Sequence, residues 1–187
     1  MKLHKLVATF GRLDHAELNL EDGLNILELP NEAGKSTWCA FLLAMLYGVD
    51  TGERTTRTSV AVKTKYKPWS GAAMEGRMEL SWHGREITVE RTTRGRVPMG
   101  VFRAYETASG LPVSELTAEN CGLMLVGAEK SVFERSAFLR QSGLAVTEDD
   151  ALERRLGALV SSGEEDVSYL AAEKRLRDWK NACRHNQ

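Results

Sequence analysis

The sequence predicts an α/β fold in which a phosphate-binding loop lies between a short strand and a helix. Three observations carry that expectation. The segment Leu29-Pro30-Asn31-Glu32-Ala33-Gly34-Lys35-Ser36 follows the pattern G-x-x-x-x-G-K-[ST] at every position but the first. Ahead of it, after the turn signal Asp22-Gly23, the apolar run Leu24-Asn25-Ile26-Leu27-Glu28-Leu29 reads as a buried strand. Behind it, Trp38, Phe41, Leu42, Met45 and Leu46 fall at helical spacing, so a helix is expected to begin near Lys35 and end by Gly48.

The loop has a physical reason to hold phosphate. Gly34 lets the backbone approach an anion closely, and the amides entering the helix point at it with the positive end of the helix dipole behind them. Lys35 supplies a cation for the outer phosphates, and the Ser36 hydroxyl can ligate Mg²⁺. Leu29 stands where the pattern has its first glycine, and a side chain there is expected to restrict the mouth of the loop.

The other elements follow in order. Lys2–Phe10, Glu17–Leu20 and Gly23–Leu29 have strand character, so three strands are expected before the loop. Residues 47–69 turn polar and rich in Thr, Arg and Lys, as in a mobile surface loop. Met78, Leu80 and Trp82 then alternate with polar residues, His83-Gly84 turns the chain, and Ile87 and Val89 alternate on the return. A third strand, Val101–Thr107, follows an Arg-rich turn at Thr93–Arg96, giving an antiparallel hairpin lobe beside a parallel core. Helices are expected at Thr117–Val126 and Lys130–Ser136. Further on, Leu152, Leu156, Leu159 and Val160 form an amphipathic stripe, broken at Ser161-Ser162-Gly163. Tyr169, Ala172, Leu176, Trp179 and Cys183 then repeat at coiled-coil spacing, with an ordinary packed helix as the alternative. The expected organisation is a lobe over residues 1–163 and the start of a coiled-coil helix over 164–187, with the pattern reading as cut off at the end.

Composition excludes some classes. With 42% hydrophobic and 27% charged residues the chain is globular in type rather than disordered. It carries no apolar run long enough to span a membrane and no signal peptide, so no membrane partner is expected. Cys39, Cys121 and Cys183 lack metal-ligand spacing, and a reducing cytoplasmic location is the simplest reading. Charge is uneven. Between Arg54 and Arg103 there are eleven Lys/Arg against four Glu, compatible with contact to a phosphate backbone or with a solvated sheet face.

These pieces resemble the N-terminal half of an SMC-like, ABC-type ATPase head, the nearest kind being the SbcC/YhaN-type AAA proteins of DNA double-strand-break processing. The loop Asn31-Glu32-Ala33-Gly34-Lys35-Ser36-Thr37, the hairpin lobe, the glutamine after Phe138-Leu139-Arg140 and the emerging coiled coil carry the resemblance, and Leu29 departs from it. It implies a P-loop NTPase fold with an antiparallel β-subdomain and C-terminal helices starting a coiled coil. It implies ATP and Mg²⁺ as ligands, held by residues Asn31 to Thr37. Lys35 would contact the outer phosphates, Ser36 the metal, Asn31 the γ-phosphate side, and Thr37 would anchor the loop. Gln141 would sit near the metal and attacking water, and Arg12 is a further candidate for nucleotide contact. The implied partners are the C-terminal half of the same head, a second head in a homodimer, double-stranded DNA and a nuclease subunit.

Hydrolysis also needs a carboxylate for the metal or the nucleophile. The closest sequence, Ile87-Thr88-Val89-Glu90, belongs to the hairpin, so the chain alone is not expected to turn ATP over efficiently. Two other readings stay open. One is a self-contained small-molecule kinase, against which the leading strands and the heptads argue. The other is a degenerate nucleotide-binding scaffold, for which Leu29 is the evidence.

Overall fold

The computed structural model describes residues 1–57, 59–137 and 179. The chain divides into two compact units, Met1–Ala128 and Glu129–Gln187. In the first unit five strands form one sheet: β1 (Lys2–Phe10), β2 (Leu13–Asn19), β3 (Glu75–Trp82), β4 (Arg85–Arg94) and β5 (Val97–Glu106). Their order is β2-β1-β3-β4-β5, and every pairing is antiparallel. Helices α1 (Lys35–Tyr47), α2 (Val62–Lys65) and α3 (Cys121–Val126) complete it, and α4 (Lys130–Ser136) belongs to the second unit.

The hairpin β3–β4 turns where the sequence says it should. Trp82 pairs with Arg85, and both intervening residues take positive φ, His83 at 49° and Gly84 at 74°. A two-residue turn of this kind matches the twist of its strands. Pairing then sets one face: Gly76 lies opposite Arg91, Met78 opposite Val89, and Leu80 opposite Ile87. Met78, Leu80, Ile87 and Val89 are fully buried.

Helix α1 covers that face. Its boundaries match the expectation, with Gly48 as the C-cap, and Trp38, Phe41, Leu43, Ala44, Met45 and Leu46 are buried. Phe41 meets Phe10 edge to face at 5.7 Å and Trp38 at 5.9 Å. The helix can lie this close because β3 has a glycine beneath it. A Cβ on Gly76 would stand 2.4 Å from Phe41 and 2.6 Å from the Met45 sulfur.

Several expectations are corrected. There is no separate parallel core among the described residues: β1 pairs directly with β3, so the first hairpin and the second share a sheet. The second strand begins at Leu13 rather than Glu17. The expected third strand is absent, since residues 24–29 pair with no strand, and Leu24 and Ile26 are 87% and 82% exposed. The local cause is Asn25. Its side chain accepts from the Glu21 amide at 2.9 Å and donates to the Glu21 and Gly23 carbonyls, a self-contained turn that competes with strand pairing. Helix α3 starts at Cys121; just before it the Thr117 amide donates to the Asn120 side chain and the Asn120 amide to the Thr117 hydroxyl, which holds residues 117–120 in a turn.

Residues 47–69 are only partly the loop expected. Ala61 is fully buried, Tyr66 stacks on Phe10 at 5.0 Å, and Pro68 is buried. The Gly11 amide donates to the Tyr66 carbonyl at 2.7 Å, and the Trp69 amide donates to the Gly11 carbonyl at 2.9 Å. This stretch is therefore anchored on the β1–β2 turn. Gln141 and the heptads of 164–187 lie outside the described residues, apart from Trp179, which is helical.

Candidate functional site

The loop runs from Leu29 into α1. Leu29 itself adopts no positive φ, so the missing glycine imposes no backbone strain. The left-handed positions are Glu32, at φ 64°, and Gly34, at φ 104°, with Ala33 of negative φ between them. Alternation of this kind turns successive amides toward one side, which is how short loops make anion-binding concavities. At Gly34 a side chain would be strained by φ, and its Cβ would also press on Leu13 at 3.3 Å.

The amide end of the helix is open. No side chain caps α1, and no acidic residue sits in its first turn. The amides of Ala33, Thr37 and Trp38 are satisfied by Pro30 and Gly34 carbonyls, whereas among the described residues no acceptor takes those of Gly34, Lys35 and Ser36. Three free amides at the positive end of a 13-residue helix favour an anion.

Lys35 folds back onto the start of the loop. Its ammonium donates to the Leu29 carbonyl and, at 2.9 Å, to the Pro30 carbonyl. Lys35, Ser36, Asn31 and Glu32 are exposed, and Ala33 and Thr37 are half-buried. Arg12, from the β1–β2 turn, donates to the Glu32 carbonyl at 2.6 Å and stands 5.5 Å from the centre of the Trp69 ring. The structure thus brings Arg12 to the loop residues Asn31 to Thr37. Of the seven, Gly34 is buried, and Glu32 is the one Arg12 bonds.

Other residues lie elsewhere. Glu90, the nearest match to a catalytic carboxylate, accepts from the Tyr105 hydroxyl at 2.8 Å, and strand alternation from Val89 places it on the sheet face opposite α1. Among the described residues no group of three His, Cys, Asp or Glu could hold a metal ion.

Arg91 was missed as a structural residue. It is 3% exposed, and its guanidinium donates to the Met45 carbonyl at 2.9 Å and the Ala118 carbonyl at 2.8 Å. One residue so ties the last turn of α1 to β4 and to the segment before α3. Burial lowers its pKa, partly opposed by neighbouring Cys121, whose own thiol burial pushes up to about 11. The signal was present: Ile87, Val89 and Arg91 alternate on one face, so this arginine belongs to the core side.

Residues 1–93 match the model of a family described as an AAA domain. The first half of the chain is accordingly an ATPase-like, nucleotide-binding P-loop domain, and its antiparallel α/β architecture is compatible with that class. No curated protein matches the chain. No described helix is long and apolar enough to cross a membrane.

Proposed function

We propose that this chain is the ATP-binding N-terminal half of a split, SMC-like ATPase head working on DNA in the cytoplasm. The observation that carries the ATP site is the loop itself: three unpaired amides, an open helix end and Lys35 held at the start of the loop by two carbonyls. Lys35 can exchange the Leu29 and Pro30 carbonyls for phosphate oxygens. Ser36 is exposed in the first turn, where its hydroxyl can reach a metal bound to the same phosphates. Bound Mg-ATP would bring anionic oxygens to these amides and to Lys35.

The strand side of the loop supports the split head. Leu24 and Ile26 present an apolar edge immediately before the phosphate loop, and such a run is stabilised only when another strand covers it. A C-terminal half supplying neighbouring strands and the missing carboxylate fits that edge. A second head, double-stranded DNA and a nuclease subunit complete the reading, and Lys63, Lys65, Lys67, Arg94 and Arg96 are the candidates for DNA contact. DNA binding through them should weaken steeply as salt rises.

Calorimetry with Mg-ATP tests the site. The parent chain should bind without turnover, and Lys35→Ala should lose about 2–3 kcal/mol of binding, the value of a charge-assisted contact. Unchanged binding in Lys35→Ala would rule the loop out as the site, and turnover by the chain alone would favour a self-contained phosphotransferase.

A further inference from the structure

We infer that Trp69 is the nucleobase platform of the phosphate-loop site, with Arg12 joining platform to loop. The inference rests on the ATP-site reading above and adds the subsite that the loop cannot itself supply. A phosphate loop grips only the phosphates; the base must settle on some surface beside it.

Trp69 is 74% exposed, and no other Trp, Tyr or Phe of the first unit falls in the exposed class among the described residues. An indole left in water on a tip that swings freely would mean little. This one does not sit on such a tip. Its own amide donates to the Gly11 carbonyl at 2.9 Å, Pro68 before it is buried, and the Gly71 amide closes the following turn onto the Pro68 carbonyl at 3.1 Å. Tyr66, three residues earlier, is stacked on Phe10 of the core. The backbone is fixed while the ring is offered to solvent.

Its position is set by the same turn that reaches the loop. The Arg12 guanidinium lies 5.5 Å from the indole centre and donates to the Glu32 carbonyl inside the loop at 2.6 Å. A single guanidinium therefore spans the gap between indole and loop. With the guanidinium over one face of the indole, the other face is the surface on which a base can stack, and such stacking tolerates any base because each has a π-face.

The test compares Mg-ATP with magnesium tripolyphosphate, which has the phosphates and no base, on the full chain. The parent should bind ATP more tightly than tripolyphosphate. Trp69→Ala should weaken ATP binding about tenfold to a hundredfold and leave tripolyphosphate binding unchanged. Trp69→Phe, which keeps a ring, should retain most of the ATP affinity. Equal ATP affinity in Trp69→Ala and parent overturns the platform while leaving the phosphate site standing. Equal loss of both ligands also overturns it, since Trp69 would then only support the loop. If the parent binds neither ligand, the phosphate-site reading itself fails and the platform with it.

Discussion

The two sides of the phosphate loop are built differently. On the helix side, α1 is locked to the sheet by Phe41 and Met45 over Gly76 and by Arg91 on its final turn. On the approach side, residues 24–29 pair with no strand and hold Leu24 and Ile26 in solvent. The same loop thus hangs from a rigid support at one end and an unpaired one at the other. Rigidity on the helix side keeps the Gly34, Lys35 and Ser36 amides aligned, as anion binding requires. Under the proposed split-head reading, the bare approach is where a partner segment would add itself.

The largest effect is expected at Gly76. Gly76→Val should cost about 3 kcal/mol or more, because the new side chain overlaps two large buried neighbours in a close-packed layer. Urea unfolding measures it, and a loss no greater than a surface substitution would mean that α1 is not seated as described. Arg91→Leu should cost about 2 kcal/mol, since it leaves the Met45 and Ala118 carbonyls without their donor. By contrast, Leu24→Ser and Ile26→Ser should each change the stability of this chain by less than about 0.5 kcal/mol. A large loss at either would show that the approach segment is covered after all.

Cysteine chemistry gives the finest probe of the helix side. Cys39 is exposed on α1, whereas Cys121 is buried beside Arg91 with its pKa raised to about 11 from 9.0. At pH 8 a maleimide should label Cys39 and spare Cys121, as peptide mass spectrometry would read. Because the folded pKa of Cys121 is the higher one, its contribution to stability is intact below pH 9 and is lost as pH rises toward 11. Rapid labelling of Cys121 in the folded chain at pH 8 would contradict the packing around Arg91.

Much of the helix side was legible in the sequence because its signals are local. Lys35 to Gly48 show helical spacing and a glycine stop, and His83-Gly84 is a turn whose backbone demands are short-range. The pairing of β1 with β3 was not legible, since it joins residues about seventy apart and leaves no pattern in either strand. Leu24–Leu29 misled for a related reason. Apolar character shows that a segment can be buried, but burial also requires a neighbour, and Asn25 had already folded the preceding turn on itself. In the site, the loop residues were read directly from their motif, whereas Trp69 looked like part of a polar loop. Its anchorage depends on hydrogen bonds to Gly11, far back in the chain.

Amide hydrogen exchange followed by mass spectrometry, with and without Mg-ATP, reads both sides of the loop in one experiment. In the free chain, peptides from Asp22–Leu29 should exchange at once, and those from β3 and β4 should resist. Mg-ATP should slow exchange across Pro30–Thr37 in the parent and not in Lys35→Ala. Strand-like protection of Asp22–Leu29 in the free chain, or no nucleotide-dependent change at the loop, would contradict the account.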